Sequence, residues 1–107
     1  MKKIYPSENE ILKLILEWLA LKGYFAWRNN SGAYKTESGG FVRFGCAGSP
    51  DIFAILRPSG RFLGIEVKAH GRKQTVYQQI FEENMKNNGA VYLLAYSLED
   101  VIDKICI

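Results

Sequence analysis

The sequence predicts an α/β fold in which a mixed central β-sheet is flanked by helices, and three observations predict it. Apolar residues recur at helical spacing in the stretches 8–22 and 76–87; several short apolar runs of strand length lie between them; and one more such run and a capped helical segment follow. The order helix, several strands, helix, strand, helix is that of a sandwich built around one sheet. With 107 residues, 48% of them hydrophobic and 13% aromatic, the chain is expected to form one domain over 1–107 with a single core, and the composition excludes a disordered tail.

Ser7 stands where it can cap the first helix, predicted over 8–22, with Ile11, Leu12, Ile15, Trp18 and Leu19 on the buried face and Gly23 as the stop. Residues 24–28 read as a strand. The stretch 29–40 is polar and rich in glycine and 41–44 is a short strand, so this region is expected to be a loop or ribbon leading to Asp51. Ile52-Phe53-Ala54-Ile55-Leu56 and Phe62-Leu63-Gly64-Ile65 are almost continuously apolar, the pattern of strands buried on both faces. Arg57-Pro58-Ser59-Gly60 joins them as a turn, with proline second and glycine fourth. After a connection over 69–73 that contains Gly71, a helix is predicted over 76–87 with Val76, Tyr77, Ile80, Phe81 and Met85 inward, ended by Asn88-Gly89. Residues 90–95 form an apolar strand, and Ser97 with Asp100 makes a capping box opening a last helix through Ile105. Trp18 and Trp27 are expected in the core.

Charge interrupts this apolar background at two places. Asp51 heads one strand of the hairpin, and Glu66 and Lys68 close the other. If the turn centres on Pro58 and Ser59, antiparallel pairing opposes residues whose numbers sum to 117, and Asp51 then faces Glu66. Opposed side chains have Cβ atoms about 5 Å apart, which is repulsive for two anions unless a cation lies between them. Strand alternation puts Lys68 on the same face as Glu66. A longer or bulged turn would shift the register. The competing reading is an exposed strand-end ion pair with Lys68 or Arg72, which leaves the spacing and the apolar flanks unexplained.

Gly48-Ser49-Pro50-Asp51 followed by Glu66-Val67-Lys68 resembles the signature of the PD-(D/E)XK nuclease superfamily. Adding Glu8 on an N-terminal helix, the segment Trp27-Arg28-Asn29-Asn30-Ser31-Gly32 and Gln78 on the second long helix, the order is similar to that of the VRR-NUC family over nearly the whole chain. The resemblance implies a restriction-endonuclease-like core and a metal-dependent, structure-specific DNA endonuclease of the compact bacterial or phage type, with Holliday junctions as the expected substrate. A flap or general nuclease, a restriction-type subunit and a non-catalytic nucleic-acid-binding module are the alternatives, the last opposed by the intact acidic and lysine positions. Mg2+ or Mn2+ would be held by Asp51, Glu66 and the backbone carbonyl of Val67, since hard cations take oxygen ligands. Lys68 would orient or deprotonate the attacking water, or stabilise charge on phosphorus.

Glu8 lies three residues before Ile11 and seven before Ile15, on the core-facing side of its helix, and reads either as a carboxylate on the metal side of the site or as a favourable charge in a first helical turn. Gln78 matches the family's helix glutamine, but Thr75-Val76-Tyr77-Gln78 is also a capping box. Arg28, Asn30, Ser31 and Lys35 are either DNA phosphate contacts or a solvated loop. A net charge of +3 permits nucleic-acid binding without a long basic tract. Cys46 and Cys106 make no disulfide framework, and a single histidine, His70, argues against structural zinc. With no signal peptide and no apolar run of spanning length, a cytoplasmic protein is expected. One small catalytic domain with little surface for reading DNA is expected to act on branched DNA as a homodimer. A helicase or recombinase partner is not written in any motif.

Overall fold

A computed structural model describes residues 4–30 and 32–105. The chain runs α1 (Glu8–Leu21), β1 (Phe25–Arg28), β2 (Gly32–Lys35), β3 (Phe41–Phe44), β4 (Ile52–Ile55), β5 (Phe62–Val67), α2 (Val76–Asn87), β6 (Val91–Ala95) and α3 (Leu98–Ile105). The main sheet has the order β1-β4-β5-β6, antiparallel except for the parallel pair β5 and β6, whose crossover contains α2. A separate antiparallel ribbon, β2 with β3, occupies the glycine-rich region, so the polar stretch expected as loop or ribbon contains one strand more than its composition announced.

Local signals set the helix ends. The Ser7 hydroxyl accepts from Glu10 N at 3.2 Å, and at the other end Tyr24 N donates to Leu19 O as the chain reverses through Gly23. For α3 the Ser97 hydroxyl accepts from Asp100 N, while the Asp100 carboxylate reaches one residue beyond the expected box, to Tyr96 N at 2.8 Å.

The core is one layer deep. Ile11, Leu12, Ile15 and Leu19 of α1 and Val101 of α3 pack against Ile52, Ala54, Leu63, Ile65, Val67 and Ala95 of the sheet. Each fully buried Leu, Ile or Val contributes about 1.5–3 kcal/mol relative to exposure. Trp18 is packed at the margin of this layer. Trp27 lies on the opposite sheet face, 39% exposed, in an aromatic group with Phe25, Phe53 and Phe62. That corrects its expected core position.

The cause is the placement of α2, which packs against β6 and over β5 but leaves β1 and β4 open on that side. Accordingly β5 is buried along nearly its whole length, whereas β4 alternates between buried and half-buried, not the two-sided burial expected for both strands. The inward face of α2 also differs from the expected one. Val76, Tyr77 and Ile80 are exposed, Phe81 is half-buried and Met85 is buried. The covered stripe is Gln78, Phe81, Glu82 and Met85, at the i, i+3, i+4, i+7 spacing of one helix face. Two of those four are polar, so hydrophobicity alone points to the wrong side. No helix among the described residues is long and apolar enough to cross a membrane.

Candidate active site at the end of strands β4 and β5

The hairpin register opposes Ile52 with Ile65, Phe53 with Gly64, Ala54 with Leu63 and Ile55 with Phe62, and the bond from Leu56 N to Arg61 O continues it into the turn. Every pair sums to 117. Asp51 and Glu66 therefore extend the ladder by one step, on the face covered by α2. Ile52, Leu63 and Ile65 point to the other face and into the core, which fixes the register, because a one-residue slip would bury the carboxylates in the aliphatic layer.

Each acidic side chain is held by a named donor. Val67 N donates to Asp51 Oδ2 at 2.8 Å, and the Gln78 side-chain amide donates to Glu66 Oε1 at 2.7 Å. Glu66 is 3% exposed and its second oxygen, Oε2, is buried without a hydrogen-bond partner. An orphaned carboxylate oxygen costs the desolvation free energy of a charged acceptor unless a cation, or a proton shared with Asp51, meets it. Burial first, then the negative charge of Asp51, pushes Glu66 from 4.5 up to about 8, although Lys68 pulls the other way. Asp51 is also raised, chiefly by burial, against the stabilising Val67 N–H and Lys68. Two adjacent carboxyl groups that resist simultaneous ionisation, one with an unsatisfied buried oxygen, fit a hard divalent cation. Among the described residues no three His, Cys, Asp or Glu side chains converge on one point.

Glu8 stands at the start of α1 and its Oε1 accepts from Ala69 N at 3.2 Å, just past Lys68. Its charge is felt at both Asp51 and Glu66. It anchors the end of β5 and remains outside any three-carboxylate cluster. Lys68 is 7% exposed and its backbone N–H donates to Ala95 O at 2.9 Å, so the strand end that carries it is tied to β6.

The two readings of Gln78 coexist. Gln78 N donates to the Thr75 hydroxyl and Gln78 Oε1 accepts from Thr75 N at 2.8 Å, a complete capping box, while Nε2 reaches Glu66. One amide thus has each end committed: the oxygen caps a helix and the nitrogen orients a carboxylate.

The segment before Asp51 is locked from two sides. Gly48, at φ +78°, passes so close to the first turn of α2 that a Cβ there would collide with the Tyr77 carbonyl and stand 2.8 Å from Gln78 N. Pro50 packs over Gly64, where a Cβ would meet the Pro50 ring at 2.7 Å. Asn29, named in the sequence only as part of the segment 27–32 and given no role there, donates from Nδ2 to Ser49 Oγ and to Pro50 O, both at 2.9 Å, and its N–H donates to Asp51 O at 2.7 Å. An amide directly after a strand is a weak sequence signal of that role.

The expected DNA contacts are dispersed. Arg28 and Asn30 are exposed at the end of β1 that adjoins Asp51. Lys35 is exposed near the tip of the β2–β3 ribbon, opposite Phe41. Ser31 and Cys106 lie outside the described residues; Cys46 is a free, exposed thiol.

Among solved structures, a VRR_NUC domain superposes on this chain with a TM-score of 0.66 at 22% sequence identity, covering 92% of this chain and 94% of that one. The chain has the fold of that domain, a mixed α/β fold of restriction-endonuclease type. No protein-family model and no curated protein sequence matches it.

Proposed function

We propose that this protein is a metal-dependent, structure-specific DNA endonuclease that hydrolyses phosphodiester bonds and resolves four-way junctions as a homodimer. The observation that carries the reading is the buried, partnerless Oε2 of Glu66 beside Asp51 at a strand end that also bears Lys68. The VRR_NUC fold supports the same reaction class and DNA as substrate.

Mg2+ or Mn2+ held by Asp51, Glu66 and the carbonyl of Val67 would supply Lewis-acid charge to the scissile phosphate and lower the pKa of the attacking water. The Gln78 amide keeps one Glu66 oxygen engaged, so the other is presented in a fixed direction. Val67 N–H does the same for Asp51. The Lys68 ammonium donates to a non-bridging phosphate oxygen as negative charge accumulates, or handles the proton of the water that adds to phosphorus. Hydrolysis leaves a phosphate monoester on one fragment and a hydroxyl on the other.

The test is cleavage of labelled duplex, single-stranded, flap and four-way junction DNA with Mg2+, Mn2+ or EDTA, alongside Asp51→Asn and Glu66→Gln. Metal-dependent incision of junctions is expected from the native protein and none from either variant, both of which stay folded and keep binding DNA. Near-native cleavage by either variant overturns the assignment of the site. Equal cleavage of linear duplex and junction leaves a general nuclease.

A further inference from the structure

The connection between β5 and α2 is the most cationic stretch of the chain. From Val67 to Phe81 the sequence holds Lys68, His70, Arg72 and Lys73 and no Asp or Glu. It is nevertheless a fixed piece of backbone. Its start is held by the Glu8 carboxylate on Ala69 N at 3.2 Å, and Arg72 N closes a turn onto Ala69 O at 3.0 Å. The Tyr96 hydroxyl donates to the Arg72 carbonyl at 2.7 Å. Gln74 binds Glu82 and the Tyr92 hydroxyl, both at 3.0 Å, and Tyr5 stacks on the His70 ring at 3.7 Å between centroids.

Four anchors on a surface loop leave Arg72 and Lys73 exposed beside a shallow hollow of about 330 Å3 lined by His70, Gly71, Arg72, Lys73 and Tyr96. Among the described residues no acidic side chain pairs with either cation; the ion pair present is Lys86 with Glu82 on α2. Arg72 is four residues beyond Lys68, so the two Cα atoms are at most about 14 Å apart even for an extended chain, and the turn shortens this. A preformed, unneutralised cationic hollow within that reach of the proposed phosphodiester site is placed to take the next phosphate along the same strand.

We infer that segment 70–73 is a second phosphate-binding site, in which Arg72 and Lys73 grip non-bridging oxygens of a phosphate adjacent to the one cleaved and thereby set the strand across Glu66 and Lys68. This rests on the nuclease reading above. The guanidinium supplies directional, paired donors and the ammonium a point charge, so the site recognises backbone and not base sequence.

The test is fluorescence anisotropy with labelled duplex and four-way junction DNA in EDTA, where no cleavage occurs, over roughly 50 to 200 mM salt. Arg72→Ala/Lys73→Ala is expected to weaken binding at least about tenfold and to reduce the salt slope by about 2, one unit for each lost contact. Arg72→Lys/Lys73→Arg retains most of the slope. Lys13→Ala, on the outer face of α1, leaves it unchanged. In Mn2+ the double alanine variant raises KM by a larger factor than it lowers kcat, and its melting temperature is unaltered. An unchanged slope in a double alanine variant, with native protein that binds and cleaves, overturns this site and spares the nuclease reading. Native protein that neither binds nor cleaves DNA overturns both.

Discussion

At the scale of single residues, the site is defined by a conflict left unresolved inside the protein. Glu66 has one oxygen satisfied by Gln78 and one buried with no partner, next to a second carboxylate. Its pKa rises from 4.5 to about 8, so the folded state holds a proton that the unfolded state releases. The stabilisation this provides is complete below about 4.5 and disappears as pH climbs through about 8, on the order of a few kcal/mol. Asp51, also raised, acts in the same direction. In EDTA the melting temperature of the native protein should therefore fall relative to Glu66→Gln across that window, and saturating Mn2+ should remove the fall. A native protein that gains on Glu66→Gln as pH rises in EDTA would contradict the placement of this carboxyl. Lys68 offers a separate check. Lys68→Ala should lower turnover by orders of magnitude with Mn2+ binding by calorimetry largely kept, and Lys68→Arg should not restore it, since a guanidinium is bulkier and does not deprotonate. Lost metal binding, cured by excess metal, would make the residue part of site assembly instead.

At the scale of elements, α2 is the organising piece. Its first turn touches Gly48, its Gln78 binds Glu66, its Glu82 binds Gln74 and its Met85 covers Gly64. The helix thus presses the loop carrying Asp51 and the strand carrying Glu66 into one place. Gly48→Ala tests this coupling. The new methyl would collide with main chain, which cannot rotate away, and the left-handed φ adds a strain of about 1–2 kcal/mol. Gly60→Ala, at φ +76° with open space around it, carries the strain alone. Thermal unfolding should show Gly48→Ala to be clearly the less stable of the two, and its cleavage rate per folded molecule should drop while that of Gly60→Ala holds. Equal stability and equal activity would mean that the loop and α2 are not coupled.

At the scale of the whole molecule, the proposed junction resolution requires that one site in each small copy of the chain account for incision on two strands. Two copies related by a two-fold axis match the symmetry of a four-way junction. Sedimentation at working concentration should give a dimer, and a junction held in a supercoiled plasmid should be cut on opposing strands within the lifetime of one complex. A monomer that releases singly nicked junctions would remove the resolvase reading. The sheet face left open by α2 carries Phe25, Trp27, Phe53 and Phe62.

Much of this architecture was legible in the chain itself. Capping residues and apolar periodicity delimit α1, α2 and α3 to within a residue or so, and proline and glycine in a short turn determine a hairpin register that opposes Asp51 and Glu66. These are local effects, decided by backbone sterics and neighbours a few positions away. What only the tertiary structure decided is which surfaces meet. The inward stripe of α2 holds Gln78 and Glu82 because it covers a polar site, so burial there follows hydrogen-bond partners on β5 and the segment before α2, and not side-chain hydrophobicity. Trp27 lies outside the core because α2 stops short of β1, and Asn29 braces the Asp51 loop across twenty-odd residues of intervening ribbon. Contacts between positions far apart in sequence depend on the packing of every element at once, and no period or motif encodes them.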